Sequence, residues 1–461
     1  MTTLTDPVTR TLGDLADGGL APVAAGASWL ARDRRDAARW IGIHGFPTRK
    51  DEDWRYVPLG RVLAEPFEVG DMAAVPGAGG AWARDVLDAC SLGLAGNRLV
   101  FVNGCFAPDL SQLAARPPGV LVSSLGPTLA GAHARPLAWQ VSSEPRHAFA
   151  ALNTALATDG ALVEIPARVV LDEVIELVYL TDPGRQALLT SPRSTLFFGK
   201  ESKATIVDTY AGPAGARYCS NSVTNVLLDA GADVEHYRLQ DESAEAFHFS
   251  TLDVRLMEGS HFRSHLVALG SEVARHEVQV LLGGDGAAVD LDALSLSRGR
   301  QYHDHPVLVD HATPGGASRQ RYVAIIDGHA HGVFNGHVIV RPGAAGTDAS
   351  QSNKNLLLSD RAEVDTRPRL EIFTDDVACA HGAAVGRLDA DALFYLRSRG
   401  IPETVARNLL VRGFATQALD QLTLAPFHAR AEALISGRLA LDGGEWSSTV
   451  HCDTPTPEDD R

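Results

Sequence analysis

The chain is short of cysteine, of basic charge, of long apolar runs and of nucleotide-binding motifs. Its five cysteines, at 90, 105, 219, 379 and 452, are scattered, odd in number and never spaced C-x-x-C. That excludes a disulfide framework and a self-contained zinc or iron–sulfur site. Lys plus Arg number 41 against 57 Asp plus Glu, a formal net charge of −16. Phosphate backbones and anionic lipids attract basic surfaces, so neither nucleic acid nor membrane is an expected partner. The longest uncharged stretch, 117–134, is broken by Pro118, Pro127 and several glycines and cannot span a bilayer as a helix. The N-terminal segment carries Asp6, Asp14 and Asp17 without an apolar core, unlike a secretory signal. Walker A, G-x-G-x-x-G after a strand, H-E-x-x-H and G-x-S-x-G are all missing. These absences predict a protein of a reducing compartment, the cytoplasm, that is not a self-sufficient enzyme.

What the sequence does have is ordinary globular composition, 45% hydrophobic over 461 residues, enough for two or three domains of about 150 residues each. Its texture divides it into a mostly helical region over 1–160, a β core over 161–387, a helical region over 388–445 and a flexible tail over 446–461. The first twenty residues are polar and expected to be loosely ordered. Ser28 caps a predicted helix over 29–43, in which Trp29, Leu30, Ala37, Ala38 and Ile41 recur at helical spacing. The RDRRD run at 32–36 reads as its solvated face, and Gly45 and Pro47 end it. An acidic–aromatic segment follows, Lys50 to Tyr56. Residues 97–104 predict a strand entering an Asn-Gly turn, and 149–157 a short helix.

From 161 onward, short runs of Val, Leu, Ile and Thr alternate with Gly, Asp and Ser turns. A repeat is visible within them. Residues 227–235 match 357–365 in pattern, 281–290 with one extra residue, and 197–206 more loosely. Small corner residues between stacked short strands suggest a solenoid, with a β-sandwich as the competing architecture. Helix returns at Asp389, an N-cap for 390–399 with Gly400 past its end. Pro402 opens a second helix whose apolar positions are Val405, Leu409, Leu410 and Val411, and a third runs over 425–439.

Three histidine groupings could carry chemistry. His303-Asp304-His305 and His329-Ala330-His331 are H-x-H pairs, which on a strand would point two imidazoles to one side, with His311 and His337 nearby. A stand-alone metal-dependent enzyme is the alternative they offer. The third grouping is Cys379-Ala380-His381. If the strand through Leu370, Ile372 and Val377 continues, Cys379 and His381 project together, about 7 Å apart. Thiolate and imidazole are both ligands for iron or an Fe–S cluster, but a cluster needs about four ligands and only two are present. A buried cysteine beside a hydrogen-bonded histidine is the plain structural reading.

The stretch 334–414, with FNGHVIV and then QSNKNLLLSDRAEVDTRPRLEIFTDDVACAHGAAVGRLDADALFYLRSRGI, closely resembles the SufB/SufD family of Fe–S cluster assembly proteins. TRKDEDWRYVPL at 48–59, LVFVNGCFAPDLS at 99–111 and FAALNTALATDGALVEIP at 149–166 agree, and the DEDWRY and DDVACAHG forms resemble SufD more than SufB. The resemblance implies a right-handed parallel β-helix between N- and C-terminal helical regions. It implies a non-catalytic scaffold subunit that pairs with a SufB-like subunit along the β-helix and binds a SufC-like ABC ATPase through the C-terminal helices. Its functional histidine falls on His381, with Cys379 as neighbour, and the partner would supply the remaining ligands to a transient Fe–S cluster. No tightly bound cofactor is expected in the isolated chain, and a homodimer through the β-helix edge is possible when SufB is absent. The other four cysteines carry no implied role.

Overall fold

From Ala161 onward the chain cannot bury its apolar side chains within one strand pair, because strands here neighbour each other in parallel and both faces of each sheet are covered. The result is a parallel β-solenoid of about eight turns. The structure is a computed structural model describing residues 10–12, 28–69, 81–130, 136, 139, 147–184 and 186–439. Each turn lays one strand in each of two sheets. Successive turns stack in register about 29 residues apart, Tyr302 opposite His331 in the first sheet and Ala288 opposite Ala317 in the second. Parallel neighbours joined through the opposite sheet exclude the sandwich.

The sequence repeat marks corners. At the corner from first to second sheet, Glu201, Gly231, Gly259, Gly286, Gly315 and Gly346 all take positive φ, between 57° and 74°. Glycine adopts that conformation without a Cβ clash. Each of their N–H groups donates to a carbonyl of the following turn at 2.7–2.9 Å, so the corners form a continuous hydrogen-bonded ladder. Residues 197–206, 227–235 and 281–290 lie at this corner, whereas 357–365 turns back from second sheet to first. The likeness of 227–235 to 357–365 is therefore one of turn chemistry, not of equivalent position.

The first strands of the solenoid come from earlier in the chain: Asn97–Val102 pairs in parallel with Ile175–Leu180, after which Asn103 and Gly104 turn the chain with φ of 53° and 82° into Cys105–Phe106. The helices Ser28–His44 and Ala148–Leu156, the latter one residue from its expected start, sit over the outer face of the first sheet. The acidic–aromatic segment locks them there. Trp54 stacks on Phe149, with ring centres 5.4 Å apart, and Phe149 stacks on Phe249 at 3.8 Å. The Arg275 guanidinium lies 3.8 Å from the Trp54 ring centre, donates to the Asp53 carbonyl at 2.9 Å and pairs with buried Asp304. Arg367 pairs with Glu52, and Asn335 donates to Asp53 at 3.0 Å. The RDRRD run is not wholly solvated: Arg34 is buried and donates to the Ala157 carbonyl at 2.6 Å, while Asp33 accepts from the Trp139 indole at 3.0 Å. Those partners lie more than a hundred residues away, out of reach of any local pattern.

The helices Ala390–Ser398, Glu403–Leu419 and Ala425–Leu439 follow the solenoid, and the Asp389 carboxylate caps the first by accepting from the amides of Asp391 and Ala392. Val411, Ala415, Phe427 and Ile435 pack on the outer face of the second sheet against Tyr237, Leu239, Val267 and Leu294. Val405 and Leu409, expected in that apolar face, are instead about half exposed. Among the described residues no helix is long and apolar enough to cross a membrane. The tail over 446–461, Cys452 and most of the first twenty residues lie outside the described residues.

Two stability predictions follow from this packing. Burial lowers the pKa of His303 to about 4 and of His305 to about 3, against about 6.5 in the unfolded chain. Both are neutral when folded, so the unfolded state binds their protons first as pH falls. Their contribution is complete above about pH 6.5 and is lost below it, at up to about 1.4 kcal/mol per pH unit for each. Urea midpoints should drop between pH 7 and 4.5, less steeply in His303→Gln, and a flat profile would refute this. Trp54→Ala should cost about 3–5 kcal/mol and expose the N-terminal region to limited proteolysis; an unchanged digestion pattern would contradict the lock.

Candidate functional site

Val377–Arg387 is the last strand of the second sheet. It pairs in parallel with Thr347–Leu357, and among the described residues no strand lies on its other edge. The expected continuation of one strand from Leu370 to His381 does not occur. Arg369–Ile372 belongs to the first sheet, and the chain turns a corner at 373–376 before Val377 starts in the second. Cys379 and His381 nevertheless share a face, since both lie on the later strand two residues apart.

That face is the unfinished interior of the solenoid. On Thr347–Leu357 the odd-numbered Ala349, Gln351, Asn353 and Asn355 are buried inside. Their register partners on the last strand are Cys379, His381, Ala383 and Val385. With no further turn to cover them, His381 and Ala383 are exposed and Val385 is 51% exposed. Cys379 is partly covered and packs against the solenoid core. Burial pushes its thiol pKa up, and the negative charge of Asp348 adds to the shift. This is not an activated nucleophile; a metal would have to displace the thiol proton to be bound. The even positions, Ala378, Ala380, Gly382, Ala384 and Gly386, are all alanine or glycine. A Cβ added at Gly382 or Gly386 would meet nothing within 4 Å, so this chain's own packing does not demand their smallness.

The H-x-H pairs are placed differently. His303 and His305 do share a face, but it is the sealed interior: the His303 Nδ1 accepts from the Ser295 hydroxyl at 2.8 Å and its Nε2–H donates to the Gly270 carbonyl at 2.9 Å. His329 and His331 do not share one. His329 sits in an exposed turn and accepts from Arg361 at 3.1 Å, while His331 begins a strand and donates to Asp365 at 2.7 Å. His311 is buried against Ser318 at 2.8 Å, and His337 lies 2.9 Å from Glu371. Among the described residues no group of three or more His, Cys, Asp or Glu side chains is arranged to hold a metal ion. The structure thus brings Cys379 and His381 together at an open end, holds His303, His311, His329, His331 and His337 in polar contacts of the fold, and buries His305 with neither ring nitrogen hydrogen-bonded among the described residues.

Two features escaped the sequence reading. Phe394, 73% exposed, and Tyr395 stand on a helix with no buried residue, and the following helix carries the half-exposed Val405 and Leu409. Their exposure needed the helix packing to be seen. His248, His276 and His305 stack through the interior, with ring centres 4.9 and 5.4 Å apart. Their spacing of about one solenoid turn was the available signal.

Comparison with known proteins yields two family profiles. Residues 180–414 match the SUF-system FeS cluster assembly SufBD core domain, and residues 23–177 match the SufBD protein N-terminal region. The chain is similar to an iron–sulfur cluster assembly SufBD family protein of Synechocystis, 34% identical over 89% of this chain and 91% of the relative. It is also similar to the iron–sulfur cluster assembly protein SufD of Escherichia coli, 31% identical over 86% and 90% respectively. SufD of Bacillus subtilis is 27% identical over 60% of this chain and 64% of the relative.

Because His381 is exposed on the last strand, His381→Ala should shift the urea midpoint by less than the equivalent of about 0.5 kcal/mol. A larger loss would mean that the residue serves the fold.

Proposed function

The chain belongs to the SufBD family of the SUF iron–sulfur cluster assembly system, and from that membership we propose that it is a non-catalytic scaffold subunit of the SufD type, working in the cytoplasm. The observation that carries this reading is the uncovered last strand, which presents Cys379 and His381 together at an open sheet edge. An unpaired strand edge is a template for another chain. A SufB-like subunit docking there would cover the exposed Val385 and pass close over the alanine–glycine face. It would complete a coordination sphere to which this chain adds the His381 imidazole and, once deprotonated, the Cys379 thiolate. The Fe–S cluster is cargo: it is assembled between the subunits and passed on. In the absence of SufB the same edge suits a second copy of this chain.

The C-terminal helices would hold a SufC-like ABC ATPase. The exposed apolar side chains of Phe394, Tyr395, Val405 and Leu409 on two consecutive helices support this, since apolar surface of that size, where contiguous, marks a docking site. These helices pack on the second sheet, the one that ends in the Cys379–His381 strand. Movement imposed by the ATPase would therefore be felt at the cluster face.

Co-expression with SufB- and SufC-like proteins, followed by anaerobic purification, should yield one complex containing all three. A chain that co-purifies with neither sinks the proposal. In that complex His381→Ala should remove most bound iron and acid-labile sulfide while leaving subunit composition intact. Unchanged iron and sulfide would remove His381 from the ligand set.

A further inference from the structure

Toward the open end of the solenoid, polar side chains stack at one register position. Leu291, Gln320, Gln351 and His381 follow one another on neighbouring parallel strands of the second sheet. Leu291 belongs to the solenoid core, Gln320 is 1% exposed and Gln351 3%. The Gln351 Nε2–H donates to the Gln320 Oε1 at 3.3 Å. Amides stacked on in-register strands form such ladders, each rung bonded to the one before it. At the inner end the ladder stops against Leu291, which has no polar group, and the Gln320 Nε2 is unpaired. At the outer end the unpaired atom is the Gln351 Oε1, an acceptor.

The Gln351 amide is packed in place. Its Nε2 fills the space that a side chain at Gly336, on the facing first sheet, would need: a Cβ there would lie 2.9 Å away. The strand that carries Gln351 has one neighbour on each side, Ala317–Ile326 and Val377–Arg387. The amide nitrogen is bonded toward the first of these. A planar amide turns its oxygen away from the side on which its nitrogen bonds, so the Oε1 is left for the second, where His381 stands in register. A buried carbonyl oxygen without a partner is rare in native interiors, and an imidazole N–H is the donor that this position offers.

We propose that Gln351 is the positioning residue of His381. The imidazole donates one ring N–H to the Gln351 Oε1, which fixes the tautomer and turns the other nitrogen, bare, toward the open edge. Metal-binding histidines are commonly oriented by such a bond from their second nitrogen to a fixed oxygen, and a neutral ring held through one N–H has only the other lone pair to give. The Gln320–Gln351 ladder thereby ties the aim of an exposed side chain to the rigid interior. The use of the bare nitrogen as a cluster ligand rests on the scaffold reading; the bond itself does not.

The first test uses the isolated full chain, without iron or partners, so its outcome is separate from that of the cluster experiment. At about pH 8.5 an ordinary imidazole is neutral. With ¹⁵N-histidine labelling, one ring N–H of His381, assigned by its loss in His381→Ala, should exchange with water at least about five-fold more slowly than in Gln351→Met. Gln351→Glu, which keeps an acceptor at the same reach and lets the Gln320 Nε2 donate in turn, should restore the slow exchange. In the complex with SufB- and SufC-like partners, Gln351→Met should lower bound iron about ten-fold, as loss of such an orienting bond does at metal sites, and Gln351→Glu should restore most of it. A ring N–H in the unaltered chain that exchanges as fast as in free histidine overturns the proposal even if neither variant folds. So does exchange equally slow in a folded Gln351→Met, or unchanged iron in an assembled Gln351→Met complex. If the unaltered complex loads no iron, the scaffold reading fails and the exchange measurement still decides the bond.

Discussion

Each turn of this protein is buried only by the turns on either side of it, and almost everything else follows from that dependence. In-register stacking of parallel strands lets Val254, Val280 and Val309 form one apolar column, and the glycine corners let the backbone follow with a hydrogen bond between every pair of turns. The same dependence leaves a solenoid unfinished wherever it stops. At its beginning, Asn97–Val102 and the Cys105–Phe106 hairpin extend and close the second sheet. At the other end nothing in the described chain covers Val377–Arg387. The cluster-binding role proposed above falls at an end where the described architecture lacks a neighbour of its own.

The two flanking regions solve a second problem, that of covering the outer faces of both sheets. The N-terminal region does so with a polar clamp on an aromatic stack: Arg275 reaches from the first sheet to the Trp54 ring and the Asp53 carbonyl, with Asp304 and Glu277 balancing its charge. Removing Arg275 would leave Asp304 and Glu277 buried without its counter-charge, which is the costly way to break such a group. The C-terminal helices cover the second sheet by apolar packing, tied down by the Arg438–Asp241 ion pair and the Tyr237–Thr423 hydrogen bond, and keep apolar side chains such as Phe394 outside. Both regions are thus fastened down, and the second also has apolar surface to offer.

Much of this was legible from local chemistry. The Asp389 cap, the Asn103-Gly104 turn, the helix at 425–439 and the corner residues near 229–232 all announce themselves within a few positions. The Cys379–His381 pair was legible because period two places the side chains of neighbouring odd residues together wherever the strand begins. What was illegible depended on distant partners. Arg34 looks solvated until Ala157 and Trp139 are folded against its helix. The corner at 373–376 contains no glycine or proline, so one strand seemed to run through it. His303 and His305 resembled ligands because a solenoid covered on both faces loses the polar–apolar alternation that would have marked them as interior.

The glycine-corner ladder has a further consequence for how the molecule comes apart. Its amides bind each turn to the next, and the early turns are additionally clamped by the N-terminal region, whereas Val377–Arg387 is held by a strand on one side only among the described residues. Loosening therefore has a direction: it begins at the uncapped end and travels inward one rung at a time, as expected of a quasi-one-dimensional stack. The edge proposed for a partner would then be the first to melt, and a docking subunit would serve as the missing cap of the stack and raise the melting temperature of the whole spine.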